Sequence, residues 1–289
     1  MQNWGEAGLL DHCESLRSDA TWVAAQWASP QALLLAVDEL GRVSAGEGLT
    51  VPEQSPHGAY DAQRHFLLGL AAGRPVFVQA GETDAMASLR ELMPVLDDAD
   101  RELVVKAVAL VNWHRTSPHC SVCGSLTVVT SGGLVRYCGG CRRERFPRSD
   151  PAIIVAVVDA DDRLLLGHQV AWPTGRMSIL AGFVSAGESL EMAVHREVGE
   201  ESGLRLSSVR YVGSQPWPLP RSLMLGFVAR AAGTRIEVDG VEIEHARWFT
   251  REELTAAEDA GEVSLPGSAS IASRLVAEWR SGELPAPEG

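Results

Sequence analysis

A chain of 289 residues, 45% hydrophobic and 22% charged, has room for two or three globular modules with apolar cores. Its net charge of −13 argues against a broad nucleic-acid-binding surface. The start, MQNWGEAGLLDHC, has no basic segment followed by an apolar run, and no stretch offers about 18 uncharged apolar residues. The expectation is therefore a cytoplasmic protein with no membrane partner.

In chain order, residues 1–97 suggest an N-terminal α+β domain. Strand-like apolar runs at Ala32 to Val37, His65 to Leu70 and Pro75 to Gln79 are broken by Gly, Pro and Asp. The pattern DADRELVVKAVALVNWHR, Asp98 to Arg115, predicts a helix whose stripe of Leu103, Val104, Ala107, Val108 and Val111 is core or subunit contact. It leads into Cys120-x-x-Cys123 and Cys138-x-x-Cys141, pairs separated by 14 residues. Two such knuckles deliver four thiolates to one tetrahedral ion, and TVVTSGGLVRY between them reads as a hairpin turning at Ser131-Gly132-Gly133. The expectation is one structural Zn²⁺ per chain, held in a zinc ribbon within a segment of linker helix and ribbon, 98–146. Four thiolates leave no open coordination position for catalysis. Cys13 stands alone as a buried or incidental thiol. Arg142, Arg143, Arg145 and Arg148 make one local basic cluster, either a solvated loop or an approach for phosphates.

A third module spans 147–282, with 283–289 as a tail. Ala152 to Asp159 is the near-continuous apolar run of a central strand covered on both faces. Arg163 to His168 suggests its hairpin partner, and further strands fall at Ser178 to Phe183, Val209 to Gln215, Leu223 to Arg230 and Glu242 to Phe249. A closing helix is expected near Ile271 to Arg280.

Within that module lies GFVSAGESLEMAVHREVGEESGL, residues 182–204. Gly187 and Ser189 mark a turn and an N-cap, Leu190 to Ser202 are good helix formers, and Gly203 suits the left-handed residue that ends a helix. Glu197, Glu200 and Glu201 then fall within an arc of roughly 100°. Three converging carboxylates repel, and beside a glycine-bearing loop they point to a hard divalent cation with oxygen ligands, Mg²⁺ or Mn²⁺. His195 on the same helix reads as a surface residue.

By Gly182, Glu188, Arg196, Glu197, Val198, Glu200, Glu201, Gly203 and Leu204 this stretch resembles the Nudix box. Ser214-Gln215-Pro216-Trp217-Pro218-Leu219-Pro220-Arg221-Ser222 resembles the SQPWPFPxS signature of the NADH pyrophosphatase branch. The preceding cysteines, Phe146-Pro147-Arg148, Asp150-Pro151-Ala152-Ile153-Ile154 and Ser270-Ile271-Ala272 fit the same branch. The resemblance covers about residues 100–280 and departs at Leu219, an aromatic position in the signature, and at Phe146, often tyrosine.

The resemblance implies a Nudix α/β/α sandwich with a mixed sheet. It also implies hydrolysis of the pyrophosphate of NADH or NAD⁺ to NMN(H) and AMP, with decapping of NAD-capped RNA as a further activity, in a homodimer. Glu197, Glu200, Glu201, Glu244 and the Ala181 carbonyl would hold roughly two or three Mg²⁺ or Mn²⁺ ions. Arg196 would orient the glutamates, since a guanidinium forks onto carboxylates. Phe183 and Phe146, the latter from the same or the second subunit, would sandwich a base. Gln215, Pro216, Trp217, Pro218, Leu219, Pro220, Arg221, Ser222 and Ala272 would line the dinucleotide site, and Arg90 would contact a phosphate. Two other readings stay open: a Nudix hydrolase of ADP-ribose or a dinucleoside polyphosphate, and a non-catalytic nucleotide sensor or nucleic-acid-binding regulator.

Overall fold

The computed structural model describes residues 7–46, 49–51, 54–82 and 86–288. The apolar runs of the first module form a six-stranded sheet. Its strands are β1 (Leu10–Asp11), β2 (Leu33–Val37), β3 (Val43–Ser44), β4 (His65–Ala71), β5 (Arg74–Ala80) and β6 (Met86–Ala87), in the order β1-β4-β5-β2-β3-β6. Helix α1 (Ala20–Trp27), which the hydrophobic pattern did not announce, covers one face by packing Val23 and Trp27 on Leu34, Leu67 and Phe77. A single turn, α2 (Leu89–Leu92), precedes the long helix α3 (Asp98–Thr116). Asp97 caps α3 by accepting from the Asp100 N–H at 2.9 Å.

The stripe of α3 anticipated as core or subunit contact is core. Leu103, Val104, Ala107, Val108 and Val111 are all buried, against a cluster that includes Leu35, Val37, Phe66 and Val78 of the sheet. Each large apolar side chain so removed from water contributes roughly 1.5–3 kcal/mol to the stability of the N-terminal half. The cysteine-bearing hairpin packs on the same body. Its strands β7 (Val128–Thr130), β8 (Val135–Cys138) and β9 (Arg143–Arg145) are joined antiparallel, and Ser131–Gly133 is a 3₁₀ turn. That turn lies against the sheet so closely that a Cβ on Gly133, at φ 99°, would stand 2.6 Å from Phe66 Cβ. The Gln63 side chain pairs with both backbone groups of Val129, at 2.9 and 3.1 Å.

The remaining strands are β10 (Asp150–Val158), β11 (Leu164–Gln169), β12 (Leu180–Phe183), β13 (Leu206–Trp217), β14 (Ser222–Ala231) and β15 (Ile243–Phe249). They form a mixed sheet, β13-β14-β10-β11-β15, with β12 added on β10. β10 runs parallel to β14 from Asp150 opposite Ser222 to Val158 opposite Arg230. Its run of apolar residues is covered on both faces as expected. Ile153, Val155 and Val157 meet Ala193, Val194 and Val198 of α4 (Leu190–Ser202). Ile154, Ala156 and Val158 belong to the core with Ile271, Ala272, Leu275, Val276 and Trp279 of α6 (Ile271–Ser281). The result is the anticipated α/β/α sandwich. Helix α5 (Arg251–Asp259), unannounced by the sequence pattern, starts at a reciprocal cap between Thr250 and Glu253. The tail folds back on the sheet: Arg230 and Glu288 are paired at 2.8 Å. Among the described residues no helix is long and apolar enough to cross a membrane.

Candidate active site

Helix α4 forms where the sequence places it. The Ser189 hydroxyl accepts from the Met192 N–H at 3.2 Å, and Gly203, at φ 70°, closes the helix in the left-handed conformation. Arg196 is the hub of its acidic face. Its guanidinium forks onto Glu188 with two bonds of 2.8 Å, reaches Glu197 at 2.7 Å and Glu200 at 3.1 Å, and donates to the Phe183 carbonyl at 2.9 Å. These bonds hold the Glu188 carboxyl down at about 2 and raise the basicity of Arg196 itself. The loop before the helix is thereby tied to it at both ends. Gly182 is demanded by the same packing, because a Cβ there would fall 2.0 Å from the Glu197 carboxyl carbon.

Glu201 has no such partner. Only 3% exposed, it has both carboxylate oxygens buried without a hydrogen-bond donor. Burial, then the charges of Glu242, Glu197, Asp239 and Glu200, push its pKa up to about 8. A buried carboxylate left unpaired costs several kcal/mol, so the site calls for a proton or a cation. Glu201 and Ala181 line one cavity of about 440 Å³. With an all-oxygen donor set, these residues fit a hard divalent ion. Glu242, just before β15, is the largest charge on Glu201, and nothing in the sequence pattern singled it out. Glu244, expected to join the box glutamates, is exposed and stands 3.5 Å from His168 Nε2, grouped with His168 and His245 and not with Glu197, Glu200 or Glu201. His195 is exposed, as expected.

The same cavity is lined by Arg90, Trp172, Arg176 and Trp217, and the Arg90 guanidinium lies 5.4 Å from the centroid of the Trp217 ring. Arg90 comes from α2, so the N-terminal sheet domain supplies a wall of this pocket. The proline-rich segment is not a free extended arm: Gln215 to Trp217 end β13 and Ser222 begins β14, with Trp217 paired opposite Ser222. A second cavity of about 250 Å³ is lined by Pro216, Trp217, Pro218, Pro220, Arg221 and Ser222 together with Arg148. Leu219 turns toward the N-terminal core.

Two residues expected to face a ligand are turned inward. Gln215 is 1% exposed and its amide is consumed by the Ala269 carbonyl at 2.8 Å and the Ile271 N–H at 2.7 Å. It fixes the start of α6, where Ala272 is buried in the core. A buried primary amide takes the partners that satisfy it, and here the backbone supplies them. Phe146 and Phe183 are 47% and 59% exposed, and neither is among the residues lining these two cavities.

The four cysteines converge, all sulfurs lying within 4.8 Å of one another. The Sγ atoms of Cys120 and Cys141 are 3.6 Å apart, and those of Cys123 and Cys138 are 3.5 Å apart. Thiolates at about 2.3 Å from a tetrahedral Zn²⁺ sit at comparable separations, so the cluster fits that ion. Hydrogen bonding from the Val122 N–H, at 3.5 Å, lowers the Cys120 thiol below its usual range.

A carboxylate-bearing helix behind a glycine loop, set in an α/β/α sandwich, defines a class of metal-dependent hydrolases. The NUDIX domain model matches residues 148–266, and the chain belongs to the Nudix family. It is 40% identical to the NAD-capped RNA hydrolase NudC of Mycobacterium bovis over 94% of this chain and 93% of that one. Against the Mycobacterium tuberculosis NAD-capped RNA hydrolase NudC the identity is 39% over the same shares. The human NAD-capped RNA hydrolase NUDT12 is 40% identical over 64% of this chain and 42% of its own.

Proposed function

We propose that the protein hydrolyses the pyrophosphate bond of NADH or NAD⁺, adding water across P–O–P to give NMN(H) and AMP, and removes the NAD cap from RNA by the same step. The observation that carries this reading is Glu201, a buried carboxylate without a donor, in a cavity it shares with Trp217 and Arg90. The names of the similar proteins above support the substrate class.

Glu197, Glu200, Glu201 and the Ala181 carbonyl would hold Mg²⁺ or Mn²⁺. Bound there, such ions would neutralise pyrophosphate oxygens and would lower the pKa of the attacking water. Arg196 positions Glu197 and Glu200 and lets three like charges share one helix face. Arg90, stacked on Trp217, offers a guanidinium to a phosphate oxygen while Trp217 presents its ring to a base. Phe146 and Phe183, both exposed on one chain, supply a base clamp when two copies pair, so the active unit is a homodimer.

The test is product analysis after incubation with NADH, and separately with NAD-capped RNA, in Mg²⁺ or Mn²⁺. NMNH plus AMP, and NMN plus 5′-monophosphate RNA, are the expected products. Unchanged dinucleotide would overturn the reading in favour of a sensor, and cleavage of ADP-ribose alone would redirect the substrate assignment.

A further inference from the structure

Strands β11 and β15 pair antiparallel with His168 opposite His245, and the register shifts so that Gln169 faces Ile243. Glu244 is taken up by that bulge, an arrangement that re-aims a side chain. The two imidazoles stack with centroids 4.7 Å apart and planes 25° from parallel. His168, Glu244 and His245 each offer a ligand atom within 4.8 Å of the others.

The tautomer of His168 is fixed by its surroundings. Its Nδ1 lies 2.7 Å from the Arg176 carbonyl oxygen, which only accepts, so Nδ1 carries the proton and donates it. In the neutral ring Nε2 then presents a lone pair, 3.5 Å from Glu244 Oε2. Two lone pairs facing across that gap repel unless positive charge stands between them. A proton on Nε2 supplies such charge for two atoms. A metal ion supplies it for three, and the third donor, His245, is in place.

We propose that His168, Glu244 and His245 form a second divalent-metal site, separate from the box glutamates, for a borderline transition-metal ion of the Zn²⁺ type. Two imidazoles and a carboxylate suit such an ion better than Mg²⁺, which prefers oxygen and its own water shell. Three protein ligands leave one position open for water or a phosphate oxygen. The hydrogen bond from His168 Nδ1–H to the Arg176 carbonyl is the kind of contact that orients a ligating histidine. The site borders the substrate cavity through Arg176, whose carbonyl takes the His168 Nδ1–H, and Trp172, whose ring lies 6.5 Å from that of His168, since both residues line it. It is nevertheless distinct from the box. The group whose ligand atoms lie within 4.8 Å of one another is His168, Glu244 and His245, and it contains none of Glu197, Glu200 and Glu201.

The test is calorimetric titration with Zn²⁺ of the full chain, its ribbon zinc retained and the box saturated with excess Mg²⁺, followed by Co²⁺ as a spectroscopic probe. One further equivalent of Zn²⁺ should bind. His245→Gln and Glu244→Gln, both at exposed positions, should abolish it, and Glu201→Gln should leave it. Co²⁺ in that site should give weak ligand-field absorption without the thiolate charge-transfer bands of the ribbon. Absence of a further equivalent would overturn the proposal. So would an equivalent that survives His245→Gln and is lost in Glu201→Gln, since it would belong to the box.

Discussion

At the scale of single residues the box is an arrangement of one cation and several anions that do not cancel. Arg196 neutralises part of the cluster, and Glu201 is left as the carboxylate with no donor. Replacing Glu201 by Gln removes the charge and keeps the shape. With saturating Mg²⁺, kcat/KM for NADH should fall about a thousandfold or more, several kcal/mol of transition-state stabilisation. The melting temperature without metal should stay unchanged or rise, because a buried unpaired acid has gone. Near-wild-type turnover would refute the role of Glu201. Gly182 makes a complementary case: the Cβ of Gly182→Ala would collide with the end of the Glu197 side chain rather than with backbone. The fold should therefore survive while Glu197 swings away, weakening Mg²⁺ binding about tenfold or more by calorimetry. Unaltered Mg²⁺ affinity would mean that Glu197 is not a ligand. The Arg196, Glu197 and Glu200 positions were legible in the sequence because a helix fixes i, i+1 and i+4 neighbours. Glu242 and the inward turn of Gln215 were not, since both depend on contacts between segments distant in the chain.

At the scale of elements, the longer strands and the long helices could be read from apolar runs and periodicity, and the short strands β1, β3, β6 and β9 and the helices α1, α2 and α5 could not. The outward faces of α1 and α5 carry too many small or charged residues to make a stripe. What makes α1 a helix is its docking of Trp27 and Val23, and the Asp19 cap at its start. Helix α3 shows how an element predicted in isolation acquires its role from packing: near its end, His114 joins the hairpin to the sheet. The ring stacks on Phe66 with centroids 3.9 Å apart. Its Nε2–H donates to the Gly133 carbonyl at 2.8 Å, and its Nδ1 accepts from Arg136 at 3.0 Å. Burial, with Arg136 adding to it, pulls the His114 pKa down from 6.5 to about 4. The unfolded chain therefore binds the proton first as pH falls, so this stabilisation is full above pH 6.5 and is lost as pH drops toward 4. Integrated over that window it amounts to about 3 kcal/mol. Denaturant unfolding at pH 7 and pH 4.5 should show a loss of that order in the wild type. His114→Gln, which keeps an amide donor and acceptor, should show a smaller loss. An equal pH dependence in both proteins would exclude His114 as the source.

At the scale of the whole molecule, the cavity that holds Glu201 is a joint product of the two halves. Arg90 and Pro94 come from the N-terminal part, and Trp217, Ala181 and Glu201 from the sandwich. Little of this could be read from the N-terminal sequence, because the contact between Arg90 and Trp217 spans more than a hundred residues and has no periodic signature. The aromatic clamp belongs to a larger scale still. Phe146 follows β9 and Phe183 ends β12, and each leaves about half or more of its surface exposed on one chain. If Phe146 serves the site of the partner copy in a two-fold dimer, Phe146→Ala and Glu201→Gln damage different sites. Mixing the two variants in equal amounts and allowing exchange makes about half of the dimers hybrid. In each hybrid one site has intact Glu201 from one subunit and intact Phe146 from the other, and the second site has neither. About a quarter of all sites are then wild type. Measured at NADH concentrations below KM, where truncating a stacking ring costs about 1–3 kcal/mol in apparent binding, the mixture should recover about a quarter of wild-type activity. If both rings instead act within one subunit, hybrids contain no wild-type site, and the mixture with hybrids confirmed by native mass spectrometry should give only the average of the two parents.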